Sequence, residues 1–527
     1  MKGYKLSLGV GALVLCWTGL LLAHEQTEKL GHVHFPITCS APAQQHFDRA
    51  VALLHSFWYA EAVKAFTTVT ETDPGCAMGY WGIAMSLWYP LWQPPSEAML
   101  QQGGEAVAKA KAIGGKNARE QQYIAAIEVF YTDAQTRDHR TRAVAYEKVM
   151  EQLYMHRPED QEAAVFYALA LDATALPSDK TYANQLKAVG ILEKVFAEQP
   201  DHPGVAHYLI HSYDYPALAS RGLPAAQRYA QIAPSAPHAL HMPSHIFTRL
   251  GLWQESIATN RDSANAAKEQ GSVFEQLHAL DYQAYAYLQG AQDVEAKRVL
   301  AERNALAKGD LENFASAYAF AAIPARYTLE RRSWTEAVAL EPHPSRLMYT
   351  EAITYFARAM GAAHTGDIAS ARSSVEKLQS LQTALVEAKQ SYWAEQVEVQ
   401  RRAAAAWLAR AEGKDDEALT LMGSAADLED STEKHPVTPG PIMPARELLG
   451  ELLLDLHQPA RAFKEFETSQ RSDPNRFNGL YGAARAAEQA GNRETARAYY
   501  ARLVTLCAHA DAERSELQQA KAFLAQK

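Results

Sequence analysis

His207-x3-His211 and His241-x3-His245 constrain this chain more than any other feature. Each pair is spaced i,i+4, so on a helix both rings lie on one face. Both members are displaced by 34 residues, from 207 to 241 and from 211 to 245. That displacement is the length of one helical hairpin in a stacked repeat array. In such an array the same two positions carry histidine in consecutive repeats. Four imidazoles then lie on neighbouring helices.

The rest of the chain supports the period. Ala43–Ser56 and Tyr59–Thr72 are apolar at 3.6-residue spacing, and Asp73-Pro74 stops the second helix. Ala50, Ala62, Phe66 and Pro74 set a pattern of small residues, an aromatic and a terminal proline; Tyr80, Ile83, Ala84 and Leu87 open the next repeat. Ala188, Leu192 and Pro200 close another hairpin, and Gly251, Ser256 and Asn260 punctuate one more. Gly290 with Ala296, Gly366 with Ala371, and Gly413 with Ala418 repeat a turn glycine and a small residue. The pattern ends on Gly450, Ala462, Phe466 and Pro474, then Ala484, Gly491, Ala496 and Tyr500, with Glu513–Gln526 as a polar cap. No strand-like alternation of any length interrupts it. The expectation is an all-α solenoid of roughly ten to twelve antiparallel hairpins.

These residues resemble the tetratricopeptide repeat (TPR) superfamily over nearly all of the chain after residue 40. HPGVAHYLIHSYDYP and HALHMPSHIFTRLGLW further resemble segments of a family of exported bacterial TPR proteins of unknown function. The resemblance implies a superhelical fold and an envelope location. It also implies that the histidine positions line a concave groove that binds a protein, peptide or small ligand. It supplies no activity.

The expected organisation is a leader or anchor over 1–23, an extended lead over 24–42, the main array over 43–428, a Pro-rich loop over 429–444, and C-terminal repeats with a capping helix over 445–527. Lys2, Lys5 and the apolar run Leu6–Ala23 read as a secretory signal peptide or an uncleaved membrane anchor. Either places the chain in the periplasm or otherwise outside the cytoplasm. A net charge of −10 argues against nucleic acid as partner. Cys39 and Cys76 flank the first hairpin, whose antiparallel helices bring them together, and a disulfide is expected in an oxidising compartment. The Pro-rich loop is the natural hinge between the two parts of the array.

Around the two pairs stand His238, His278, Asp214 and Asp281; His278-Ala-Leu-Asp281 echoes His238-Ala-Leu-His241. Six imidazoles and two carboxylates suit one or two borderline divalent ions, zinc by default. The aspartates would ligate or orient a ring. The plain alternative is a set of polar groove residues hydrogen-bonded to water or to Tyr208, Tyr213 and Tyr285. Pro243, between His241 and His245, removes a helical hydrogen bond and threatens their shared face. Tyr208 and Met242 stand where a zinc protease helix carries its glutamate, and no GxSxG, P-loop or Rossmann glycine pattern occurs. The leading expectation is an exported scaffold that holds its ligand in the groove, with or without a metal. The alternative is a metal-dependent hydrolase whose active site is the His207–Asp281 wall. Phe57-Trp58-Tyr59, Trp81, Trp88 and Trp92 read as helix packing, and His32 and His34 as residues of a flexible lead.

Overall fold

The repeat is easiest to see at its turns. In this computed structural model, which describes residues 28–306 and 313–526, a left-handed residue stands between the helices of hairpin after hairpin. Gly251, Gly271, Gly366, Gly413 and Gly491 fill this place at φ of 65° to 80°. Phe57, Ala291, Arg332, Lys389, His457 and Asn475 fill it at φ of 53° to 58°. A left-handed residue after the last turn lets the closing N–H groups reach back to the carbonyls of the finished helix before the next one starts. At the turn between Val273–Gln289 and Asp293–Ala305 the left-handed residue is Ala291; Gly290, expected there, has φ −85°.

Among the described residues there are twenty-six α-helices, one short 3-10 helix and no strand. Each helix packs chiefly on its neighbours in sequence, as in an α-solenoid. The first hairpin is Ala41–His55 with Tyr59–Thr72, and its Ala50, Ala62 and Phe66 are fully buried. Cys39 and Cys76 are joined in a disulfide across its open end, with Cα atoms 5.4 Å apart. Closing that loop contributes about 3–4 kcal/mol in the chain-entropy account. The run Leu6–Ala23 lies outside the described residues, and no helix among those described is long and apolar enough to cross a membrane.

Two expectations are corrected. The lead is extended but not loose. Phe35 is fully buried against Phe47, Trp81 and Tyr123, and the backbone of His32 donates to the Asp201 carbonyl at 3.0 Å. An aromatic anchor outweighs the polar residues around it.

The Pro-rich segment between Asp415–Asp430 and Ala445–Asp455 is no hinge. It is a strap laid along the inside of the superhelix, with Glu433, Val437, Thr438 and Ile442 buried. Its own carbonyls cannot pair within an irregular segment, so neighbouring side chains satisfy them. Tyr282 donates to the Thr438 carbonyl at 3.0 Å, and Arg326 to those of Gly440 and Pro441 at 2.9 and 2.7 Å. The C-terminal repeats are also clamped rather than free. Arg476, fully buried, reaches Glu330 at 2.6 Å, Glu447 at 2.8 Å and the Tyr285 hydroxyl at 2.5 Å.

Candidate metal centre

Pro203–Tyr213 carries the first histidine pair. Pro203 stands at its first turn, where a missing N–H costs nothing, and the His202 side chain caps it by accepting from Val205. Gly204 lets this helix lie against the end of Ala41–His55: a Cβ at 204 would stand 2.4 Å from Nδ1 of His55. The second pair is split between Pro237–His241 and Pro243–Arg249. Pro243 does interrupt the helix, but Met242 keeps helical angles (φ −53°, ψ −36°), so the chain continues in the same direction. The two rings still meet, with His241 Nε2 and His245 Nε2 3.0 Å apart. In the first pair the same atoms of His207 and His211 are 3.1 Å apart.

All six predicted histidines come together, and none is more than 7 % exposed. They do not line an open groove. Phe57 packs on His207, His211 and His238, and Trp92 on His238 and His278. Tyr282 covers His241 and His245 from the other side. Of the aromatic residues read as packing, Phe57 and Trp92 therefore pack on the histidines themselves, while Trp81 and Trp88 pack on other aromatics. Tyr208, Tyr213 and Tyr285, the alternative partners for these rings, are engaged elsewhere, with His55, Glu193 and Arg476.

The donors fall into two sets. His207, His211 and His238 form one, and His241, His245 and His278 the other; within each, one ligand atom per residue lies within 4.8 Å of the rest. Oxygens behind the rings fix how they present. His207 Nδ1 donates to the His55 carbonyl at 2.6 Å, and His245 Nδ1 to Asp214 at 2.9 Å. His241 Nδ1 faces Asn260 Oδ1 at 2.7 Å, and Asn260 is oriented because its amide nitrogen donates to the Ser256 carbonyl at 2.7 Å. Each of these rings thus carries its proton on Nδ1 and turns a bare Nε2 inward. Between His241 and His245 two lone pairs face each other at 3.0 Å with no proton to share. His238 has no hydrogen-bond partner at either nitrogen, and Glu275 stands 3.7 Å from its Nδ1. Burial, reinforced by the neighbouring imidazoles, holds His207, His211, His245 and His278 well below the usual imidazole range and His241 down at about 3.

The two aspartates have different fates. Asp214 caps the end of Pro203–Tyr213 and orients His245 while holding Arg249 at 2.9 Å and Lys434 of the strap at 2.6 Å. With its oxygens so occupied it is a second-layer anchor, not a base. Asp281 is not brought to the imidazoles; it faces Arg326 at 3.5 Å, and burial raises it to about 6. Neither is placed as the base a hydrolase would need.

Sequence reasoning missed Asn260, Glu275, Tyr282 and Lys434. Asn260 was visible only as a small polar repeat position. Glu275 and Tyr282 lie three and four residues from His278 on Val273–Gln289, a helical spacing that was open to inspection. Lys434 comes from 220 residues beyond Asp214, and no local signal announces it. A second cluster was missed entirely. His55, Glu162 and His202 meet with the carboxylate 2.9 Å from each ring.

A cavity of about 510 Å³ opens beside the centre, between the strap and the later repeats. Arg249 and Lys434, the partners of Asp214, line one wall; Tyr349 and Trp393, stacked at 4.0 Å, line another.

No protein-family model matches the chain, and no curated protein matches it. Among solved structures it is similar to yeast Tom70, at 12 % identity over 92 % of this chain and 95 % of that one, with a TM-score of 0.36.

Proposed function

We propose that this chain is an exported helical-repeat scaffold whose closed interior holds a divalent transition metal on imidazole nitrogens, and whose neighbouring cavity receives a protein segment, peptide or small ligand. The observation that carries the metal is the opposition of His241 and His245. Two bare nitrogens at 3.0 Å repel each other unless a cation stands between them. Two imidazoles on one ion, at bond lengths of about 2.0–2.1 Å, place their nitrogens about 2.8–3.4 Å apart for angles between square and tetrahedral. A proton in that place would make His245 a third cation on Asp214, which already balances Arg249 and Lys434. The export follows from Lys2, Lys5 and the apolar run Leu6–Ala23, and fits the disulfide between Cys39 and Cys76.

The test is metal-dependent stability. Wild-type protein, purified without a histidine tag and stripped by chelator, should melt at a higher temperature with zinc, copper or nickel; at one hundred times Kd the gain is about 2.7 kcal/mol. The double variant His207→Ala/His241→Ala should keep its helical circular dichroism and lose that gain. Unchanged melting of the wild type with every metal would overturn the proposal.

A further inference from the structure

We infer that the centre is dinuclear: two copper ions, one on His207, His211 and His238, the other on His241, His245 and His278. The inference rests on the metal reading above and goes past it in number and kind.

The count comes from the geometry. The six donors do not converge on one point; they separate into two disjoint triads, each with its own close Nε2 pair, at 3.1 and 3.0 Å. Each triad then has a third imidazole from a later position in the fold, His238 or His278. His238 is the more telling of these. It is 1 % exposed and neither nitrogen has a hydrogen-bond partner, which is costly for a buried polar ring unless a ligand occupies it.

Each triad is also backed by its own carboxylate. Asp214 stands behind His245 of the second triad, and Glu275 behind His238 of the first. One buried oxygen of Glu275 likewise lacks a hydrogen-bond partner. A carboxylate behind one imidazole per ion is the common outer arrangement of histidine sites; it fixes the ring and offsets positive charge. The triads abut: the rings of His211 and His245 are 5.7 Å apart, and those of His238 and His241 5.8 Å. Two ions held this way are close neighbours.

The choice of copper comes from the donor set. Neither triad contains a thiolate or a carboxylate ligand. Imidazole suits copper, zinc, iron and nickel, and copper(II) heads the affinity order among them. Two adjacent dications among neutral donors in a dry interior would leave much uncompensated charge. Copper alone of the set has a stable monovalent state, in which three neutral nitrogens are a sufficient shell. Three imidazoles per ion would leave coordination positions for a small bridging anion, which would balance the divalent state.

The experiment uses the full chain, stripped and then loaded with copper(I) under anaerobic conditions, desalted, oxidised and examined by elemental analysis and electron paramagnetic resonance. Two equivalents of copper should be retained, and the oxidised pair should lose most of its resonance intensity because the neighbouring spins couple. His211→Ala and His278→Ala each disable one triad. Each should fall to one equivalent and recover the full signal of an isolated copper(II). Wild-type protein that retains one equivalent overturns the dinuclear centre while leaving the metal reading intact. So does protein that retains two equivalents with the full signal of separate ions. Two equivalents of zinc held against a copper challenge overturns the choice of metal. Retention of no copper, zinc, nickel or cobalt overturns both readings.

Discussion

Two histidine clusters adjoin in this molecule, sharing the helix Pro203–Tyr213 that His202 caps and His207 and His211 ride on, and they are built on opposite principles. In the first, Glu162 accepts from His55 and His202 at 2.9 Å each, the Tyr208 hydroxyl is 2.9 Å from the other nitrogen of His55, and the backbone of Val205 donates to that of His202. Every ring nitrogen has a partner, and the carboxylate is held well below its usual range despite burial, through its two imidazoles. That network is closed and needs nothing more. In the second, His241 and His245 turn bare nitrogens on each other and His238 has no partner at all. Three ligand-type side chains fit a metal-ligand spacing in both places, two histidines and Glu162 in the first, so proximity alone does not identify a metal site. The difference lies in what stands behind the rings. In the first cluster the surroundings complete the hydrogen bonding; in the second they fix the protons of His207, His241 and His245 outward and leave their inward nitrogens bare, which is what supports the metal proposed for it.

Acid should separate the two most strongly. The five depressed imidazoles of the second cluster stay neutral in the folded apo protein but take up protons in the unfolded chain below about 6.5. The unfolded state then binds more protons, so stability is intact above that pH and is lost as pH falls. Each such histidine contributes about 1.4 kcal/mol per pH unit once the window is fully entered. Urea midpoints of apo protein between pH 7.5 and 5.5 should fall steeply, and a flat profile would contradict the assignment. Metal should flatten the upper part of the curve, because bound imidazoles resist protons until the ion is displaced.

Breaking the closed network should come next. Glu162→Ala leaves His55 and His202 buried without their acceptor and should cost about 3–5 kcal/mol, measured by denaturant unfolding, with or without metal. A loss confined to the metal-loaded protein would show that this cluster too is a ligand set. Gly204→Ala attacks the contact between the clusters, since the added methyl meets the His55 ring. A cost of about 1–3 kcal/mol is expected, together with weaker metal binding, because His55 supplies the carbonyl that orients His207. The smallest change should come from Asn260→Ala. It removes only the acceptor behind His241, and calorimetric titration should find metal affinity lowered about 10–100-fold. Unaltered affinity would mean that His241 is oriented by something else.

The fold was legible because the 34-residue period is written twice, in the histidines and in the alanine and glycine positions. Helix limits followed closely where Tyr59–Thr72 was readable from apolar spacing and from the stop at Asp73-Pro74. Turns were less so. Where Phe57, Arg332 or Lys389 takes the left-handed place, no glycine marks it, and the repeat framework imposes the conformation. In the site, the six histidines were legible from repeat equivalence, but their burial was not. A repeat motif predicts which face a residue occupies within its hairpin. It says nothing of a distant strap that roofs that face, or of a first hairpin that returns to cover it. Asp281 was misplaced for a related reason: its echo of His241 fixed its helical position, while the partner it found, Arg326, came from another repeat.

The strap has a consequence for time rather than for equilibrium. Lys434 ties it to Asp214, which in turn grips His245, and Thr438 is tied to Tyr282 over the same rings. A metal bound as proposed would exchange only when this segment lifts, and lifting breaks several hydrogen bonds at once. Chelators would then meet a door, not a competitor. Above a modest concentration, adding more should not hasten release, and the release rate becomes a direct reading of how often this part of the chain opens.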